Sequence, residues 1–113
     1  MEIKGTNISM IRGDSESITI SLQDDKKNHI PFVEGDLIYF TVKETIYTAS
    51  KVLQKVITEF QDGRAIIEIS PKDTKNMKFK EYVYDIQLNN ADGAVTTIIK
   101  PSKFKVDGEV TYE

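Results

Sequence analysis

Among the side chains of this 113-residue sequence, the single histidine, His29, is the one whose ordinary titration falls near neutral pH. A nucleophile activated by a base needs such a group held beside a serine or threonine and oriented by a third residue. His29 instead lies in the polar stretch DDKKNHIP, directly before Ile30 and Pro31, the setting of an exposed loop residue. A zinc centre would need further nitrogen or thiolate ligands, and the sequence has no cysteine and no second histidine to supply them.

Carboxylates are the next candidates, because a glycosidase works with two of them placed across a cleft and tuned to different pKa values. No pair is singled out. Asp24-Asp25, Glu34-Gly35-Asp36 and Asp92-Gly93 have the composition of turns, where aspartate accepts hydrogen bonds from nearby backbone amides. None of them matches the D-x-[DN]-x-[DN]-G pattern of a calcium loop, and no glycine-rich phosphate loop occurs. The expectation is therefore a protein that is not an enzyme, with no catalytic residue, no metal and no cofactor.

Two further motifs have simpler readings. Arg12-Gly13-Asp14 is an adhesion tripeptide, but glycine then aspartate between an apolar stretch and SESITISL is also what a turn requires. The turn is the preferred reading. Lys72, Lys75, Lys78 and Lys80 cluster, yet Asp73 and Glu81 are interleaved, as on a solvated loop. With 15 basic against 18 acidic residues and a net charge of −3, a nucleic-acid partner is not expected, since phosphate neutralisation needs a basic surface.

The elements that must carry these residues are strands. Alternation places every second side chain on one face of a sheet, and it recurs along the chain: Ile8 and Met10; Ile18, Ile20 and Leu22; Ile38, Phe40 and Val42; Ala65, Ile67 and Ile69. Tyr82, Tyr84, Ile86 and Leu88 follow, then Val95, Thr97 and Ile99, and after Pro101 a last run with Phe104 and Val106. Asp62-Gly63 and Asp92-Gly93 are hairpin signals, the first joining VLQKVITEF to RAIIEIS and the second YVYDIQL to AVTTIIK. Residues 52–60 also fit an amphipathic helix; their β-branched content favours strand. A short helical turn is expected near 72–77, with Pro71 at its start.

These readings predict one all-β domain over residues 1–113, an antiparallel immunoglobulin-like β-sandwich of about 7–9 strands. A closed barrel is the alternative. With no cysteine, packing alone must supply the stability. MEIKGTNIS lacks the apolar stretch of a secretory signal peptide, and no run approaches the roughly 20 residues of a membrane helix, so no membrane association is expected.

The ordered pieces resemble small immunoglobulin-like β-sandwich proteins encoded among the tail and baseplate genes of phages and prophages of Gram-positive bacteria. The pieces are Met10-Ile11-Arg12-Gly13-Asp14-Ser15, Gly35-Asp36 leading to Phe40-Thr41-Val42-Lys43, and Ser70-Pro71-Lys72-Asp73-Thr74. After them come Tyr82-Val83-Tyr84-Asp85-Ile86-Gln87-Leu88, Asp92-Gly93, Thr97-Ile98, Phe104 and Val110-Thr111. The whole is similar to the N-terminal module of baseplate upper proteins, which attaches receptor-binding machinery to the particle. Those proteins continue into long C-terminal regions, whereas this sequence ends at Glu113, which leads to the expectation of a free-standing tail or baseplate protein.

The resemblance implies a virion structural or assembly protein, made in the host bacterial cytoplasm, whose partners are other phage structural proteins or further copies of itself. The other reading is a carbohydrate- or cell-surface-binding module. Candidate contacts are outward aromatic and apolar residues left over from core assignment: Tyr39, Tyr47, Val83 and Ile98. Their competing reading is a second packed face of a twisted sheet.

Overall fold

A computed structural model describes residues 1–111 of the chain. Ten strands and one short helix follow in order: β1 (Glu2–Lys4), β2 (Asn7–Ile11), β3 (Glu16–Ile20), β4 (Leu22–Gln23), β5 (His29–Ile30), β6 (Leu37–Lys43), β7 (Leu53–Ile57), β8 (Ala65–Ile69), α1 (Pro71–Thr74), β9 (Glu81–Asn89) and β10 (Val95–Asp107). The all-β class is as the alternation predicts. The strands beyond the expected 7–9 are short: β4 and β5 have two residues each, too few to display a period.

Six strands form one sheet in the order β1-β2-β10-β9-β6-β7, while β3 pairs with β8 and β4 with β5. The inward residues of β6 and β9 are the ones alternation selects. Ile38, Phe40 and Val42 are fully buried, and Tyr82, Tyr84, Ile86 and Leu88 lie beside them with at most 6% exposure. Ile18 of β3 and Ala65, Ile67 and Ile69 of β8 join the same cluster, so the large sheet and the β3–β8 ribbon close over one core. Each such side chain contributes roughly 1.5–3 kcal/mol by leaving water.

An all-antiparallel sheet is not what forms. β2 runs parallel to β10, with Ile8 opposite Phe104 and Met10 opposite Val106, so the large sheet is mixed. Alternation assigns faces and carries no information about strand direction. Ile8, Met10, Phe104 and Val106 all point to the core, and parallel pairing satisfies that requirement as well as antiparallel pairing would.

Residues 52–60 contain strand β7, paired antiparallel with β6 from Ile38↔Ile57 to Val42↔Leu53. The expected hairpin between this segment and β8 does not form. Asp62 and Gly63 do make a tight turn, with φ of 53° and 71°, and Gln61 and Arg64 exchange backbone hydrogen bonds of 2.9 Å across it. Pairing stops at that bridge, because β8 leaves to pair with β3. Leu53 and Ile57 on β7 and Ala65, Ile67 and Ile69 on β8 all face the shared core. Pairing with β3 keeps the inward face of β8 in that shared core.

Pro101, expected to separate two strands, lies inside the 13-residue β10. β9 pairs on both sides of it, and the register slips between Thr97 and Ile99 and again between Ile99 and Ser102. Proline has no N–H to give a ladder, so an irregular pairing step tolerates it. The helical turn starts at Pro71, the residue expected at its first position, and is shorter than expected, ending at Thr74. Asp73 Oδ2 accepts from Ser70 N at 2.8 Å and from Lys55 Nζ at 2.8 Å. Burial opposes the charge on Asp73, but these bonds outweigh it and hold its carboxyl below the usual aspartate value.

Candidate functional site

The outward residues of β6 and β9 meet by register. Tyr39 lies opposite Gln87, Thr41 opposite Asp85 and Lys43 opposite Val83, while β7 adds Gln54 opposite Thr41. Ile46 and Lys51 of the β6–β7 loop and Pro101 of β10 border this face. Between them is an open groove of about 430 Å³, with Ile46, Lys51 and Asn89 in its walls.

Its polar floor is partly tied down. Gln54 Nε2 donates to Thr41 Oγ1 at 3.0 Å, and Lys51 Nζ donates to Gln54 Oε1 at 3.3 Å. Asn89 Oδ1 is buried and accepts no hydrogen bond from the described protein groups. Burial pushes the Asp85 carboxyl above its usual value, and Lys43 offsets only part of that. The groove therefore offers an aromatic ring beside amide and carboxylate groups, which suits a ligand that has both hydroxyl groups and apolar faces.

Of the four residues singled out from sequence, Tyr39 and Val83 line this groove. Tyr47 follows Ile46 in the adjoining loop and is 90% exposed; its backbone N–H donates to Thr45 Oγ1. Ile98 sits at the first irregular step of β10, partly buried and packed against the core. Ile46, Gln54 and Asn89 escaped the sequence reading. Asp85 and Gln87 carried the available signal, since their alternation with Tyr84 and Ile86 marks them as outward.

His29 is exposed on β5, its ring near the Asp62-Gly63 turn. Asp24 organises the β4–β5 hairpin by accepting from the N–H groups of Lys26 and Asn28, both at 2.9 Å. Among the described residues no three histidines or carboxylates converge as metal ligands. No described helix is long and apolar enough to cross a membrane.

Arg12 of the adhesion-like tripeptide is engaged internally. Its guanidinium donates to both carboxylate oxygens of Glu109, the shortest bond being 2.6 Å, and to Met77 O at 3.3 Å. It also stacks 4.2 Å from the Phe79 ring centroid. Gly13, at φ 87°, donates its N–H to Thr74 Oγ1 at 2.8 Å. The tripeptide thus forms a turn that ties β2 to the segments following α1 and β10.

The hydrogen bond from Arg12 holds the Glu109 carboxyl below its usual value. Its folded pKa is the depressed one, so the stability it contributes is complete above the unfolded glutamate pKa and disappears as pH falls through the folded value. Glu109→Gln should therefore lower the urea midpoint at neutral pH, and the gap to the parent protein should close as pH falls below the ordinary glutamate range. A gap between the two proteins that stays constant with pH would refute the ionic role of this pair.

No family model, curated protein or solved structure matches the chain.

Proposed function

We propose that the chain is an immunoglobulin-like β-sandwich serving as a structural or assembly protein of a phage or prophage tail or baseplate, acting through protein–protein contacts. The strand order supports the fold reading: β10-β9-β6-β7 beside β3-β8 fits a G-F-C-C′ sheet facing a B-E pair. Tyr82, near the start of β9, accepts a hydrogen bond from Lys78 N at 2.8 Å, in the manner of the tyrosine corner of such domains.

The observation that carries the functional reading is the apolar rim of an open sheet face. Ile46 and Tyr47 are 57% and 90% exposed beside the groove that holds Tyr39 and Val83, which suits them to anchoring a partner surface. Mass spectrometry of purified particles should detect the chain at a stoichiometry comparable with other tail proteins. Its absence from particles would overturn the proposal. Ile46→Asp should weaken capture of particle proteins by roughly tenfold, the effect of losing one modest anchor.

The second reading, a carbohydrate- or cell-surface-binding module, draws on Tyr39, Asp85, Gln87 and Asn89 in the groove. Binding on a glycan array that is lost with Tyr39→Ala or Tyr47→Ala would favour it. A blank array would count against it.

A further inference from the structure

The two edges of β10 are unequal. β9 pairs along it from Val95 to Lys105, whereas on the other edge β2 pairs from Phe104 to Asp107 and the side chains of Thr6 and Asn7 bond to Ser102 and Lys103. Among the described residues no strand pairs with that second edge between Val95 and Pro101. The direction of its backbone groups follows from the hairpin. Asn90 N donates to Ala94 O at 2.8 Å, so Asn90 and Ala94 form a hydrogen-bonded pair. Bonded and non-bonded pairs alternate in an antiparallel ladder, which makes Leu88↔Thr96 bonded and Asn89↔Val95 and Gln87↔Thr97 non-bonded. Val95 and Thr97 therefore aim their N–H and C=O groups away from β9, into the open edge.

The segment along that edge, Val95-Thr96-Thr97-Ile98-Ile99, is uncharged and β-branched throughout, the composition of a strand that templates another. Other free edges carry charge: Glu2 and Lys4 on β1, Lys55 on β7, Glu16 on β3 and Glu68 on β8. We infer that this edge pairs antiparallel with the same edge of a second copy, about a twofold axis at Thr97, joining two six-stranded sheets into one.

Self-complementarity selects the second copy as occupant. With Thr97 opposite its own counterpart, Thr96 meets Ile98 and Val95 falls near Ile99, so no like charges are juxtaposed. Both outward threonines lie at the axis, where paired hydroxyls are favourable. The contact goes beyond the phage reading and holds whether or not the chain belongs to a particle.

The sequence contains no cysteine, so one introduced thiol reports on the geometry. Hydrogen-bonded antiparallel partners have Cα atoms about 5.5 Å apart and Cβ atoms too far apart for an unstrained disulfide, but within reach of a short bifunctional thiol reagent. Thr97→Cys should therefore be joined rapidly by such a reagent into a covalent homodimer, while Ile3→Cys, equally on an edge, should cross-link at least about tenfold more slowly. Light scattering of the unmodified chain at high micromolar concentration should give twice the monomer mass. Thr97→Lys should return it to the monomer with an unchanged circular dichroism spectrum. A monomeric parent protein, or equal cross-linking rates for the two cysteine variants, would overturn the inference. Either result would leave detection of the chain in particles unaffected, so the two proposals fail separately.

Discussion

Gly63→Ala is expected to lower stability by about 3 kcal/mol, whereas Gly93→Ala, in the other Asp-Gly turn, should cost only about 1 kcal/mol. Both glycines have positive φ, 71° and 94°. An alanine in that region costs roughly 1–2 kcal/mol from its own backbone. The surroundings separate the two. A Cβ on Gly63 would overlap the Pro31 Cβ and lie 2.9 Å from the Pro31 Cα, while a Cβ on Gly93 would meet nothing within 4 Å.

Pro31 is exposed but tethered through its neighbour. Phe32 N donates to Gly63 O at 2.9 Å, and the Phe32 ring is buried against Phe60 with centroids 5.4 Å apart. Pushing Pro31 away strains that bond and that contact, adding about 1–3 kcal/mol as in other overpacked sites. Urea unfolding of the two variants beside the parent checks the comparison. Equal losses would mean that the Pro31 contact relaxes freely.

Phe104→Ala should cost about 3–5 kcal/mol, the range for emptying a well-packed aromatic site. Phe104 is fully buried. Its ring meets Phe40 edge-on at 6.0 Å and Tyr84 at 6.2 Å, and Phe40 and Tyr84 contact each other at 5.4 Å. It also stands opposite Ile8 on one side and Tyr82 on the other, so the vacancy opens where β2, β10 and β9 meet. Tyr84 is held there by donating its hydroxyl to Thr6 O. As a comparison, Phe79→Ala removes an exposed ring under Arg12 and should cost about 0.5–1 kcal/mol. Similar melting temperatures for the two variants would contradict this account of the core.

The faces of β6 and β9 were legible because Phe40 and Tyr84 alternate with Thr41 and Asp85, and burial follows that period. Partners were less legible. The Asp62-Gly63 dipeptide identified its turn but not where the next strand would go, since the demand of Ile67 and Ile69 for burial outweighed local pairing. Pro101 looked like a boundary because a proline within a paired strand is uncommon, and the irregular step that accommodates it has no composition of its own. The groove was half legible for a related reason. Tyr39 and Gln87 each read as outward, but they are distant in sequence, and only the β6–β9 register makes them neighbours.

The position of β10 has a consequence for synthesis. β10, the last of the described strands, is not at an edge of the sheet but between β9, which ends just before it, and β2, which is made long before it. Until β10 arrives, each presents an unpaired ladder flanked by Ile8 and Met10 or by Tyr82 and Tyr84. β9 and β10 close as a hairpin, but β2 must find β10 with Ile8 opposite Phe104, and a pairing this remote in sequence is slow to form. A nascent or truncated chain lacking β10 would hold two sticky edges open at once, so its fate in the cell depends on how quickly that final strand is inserted.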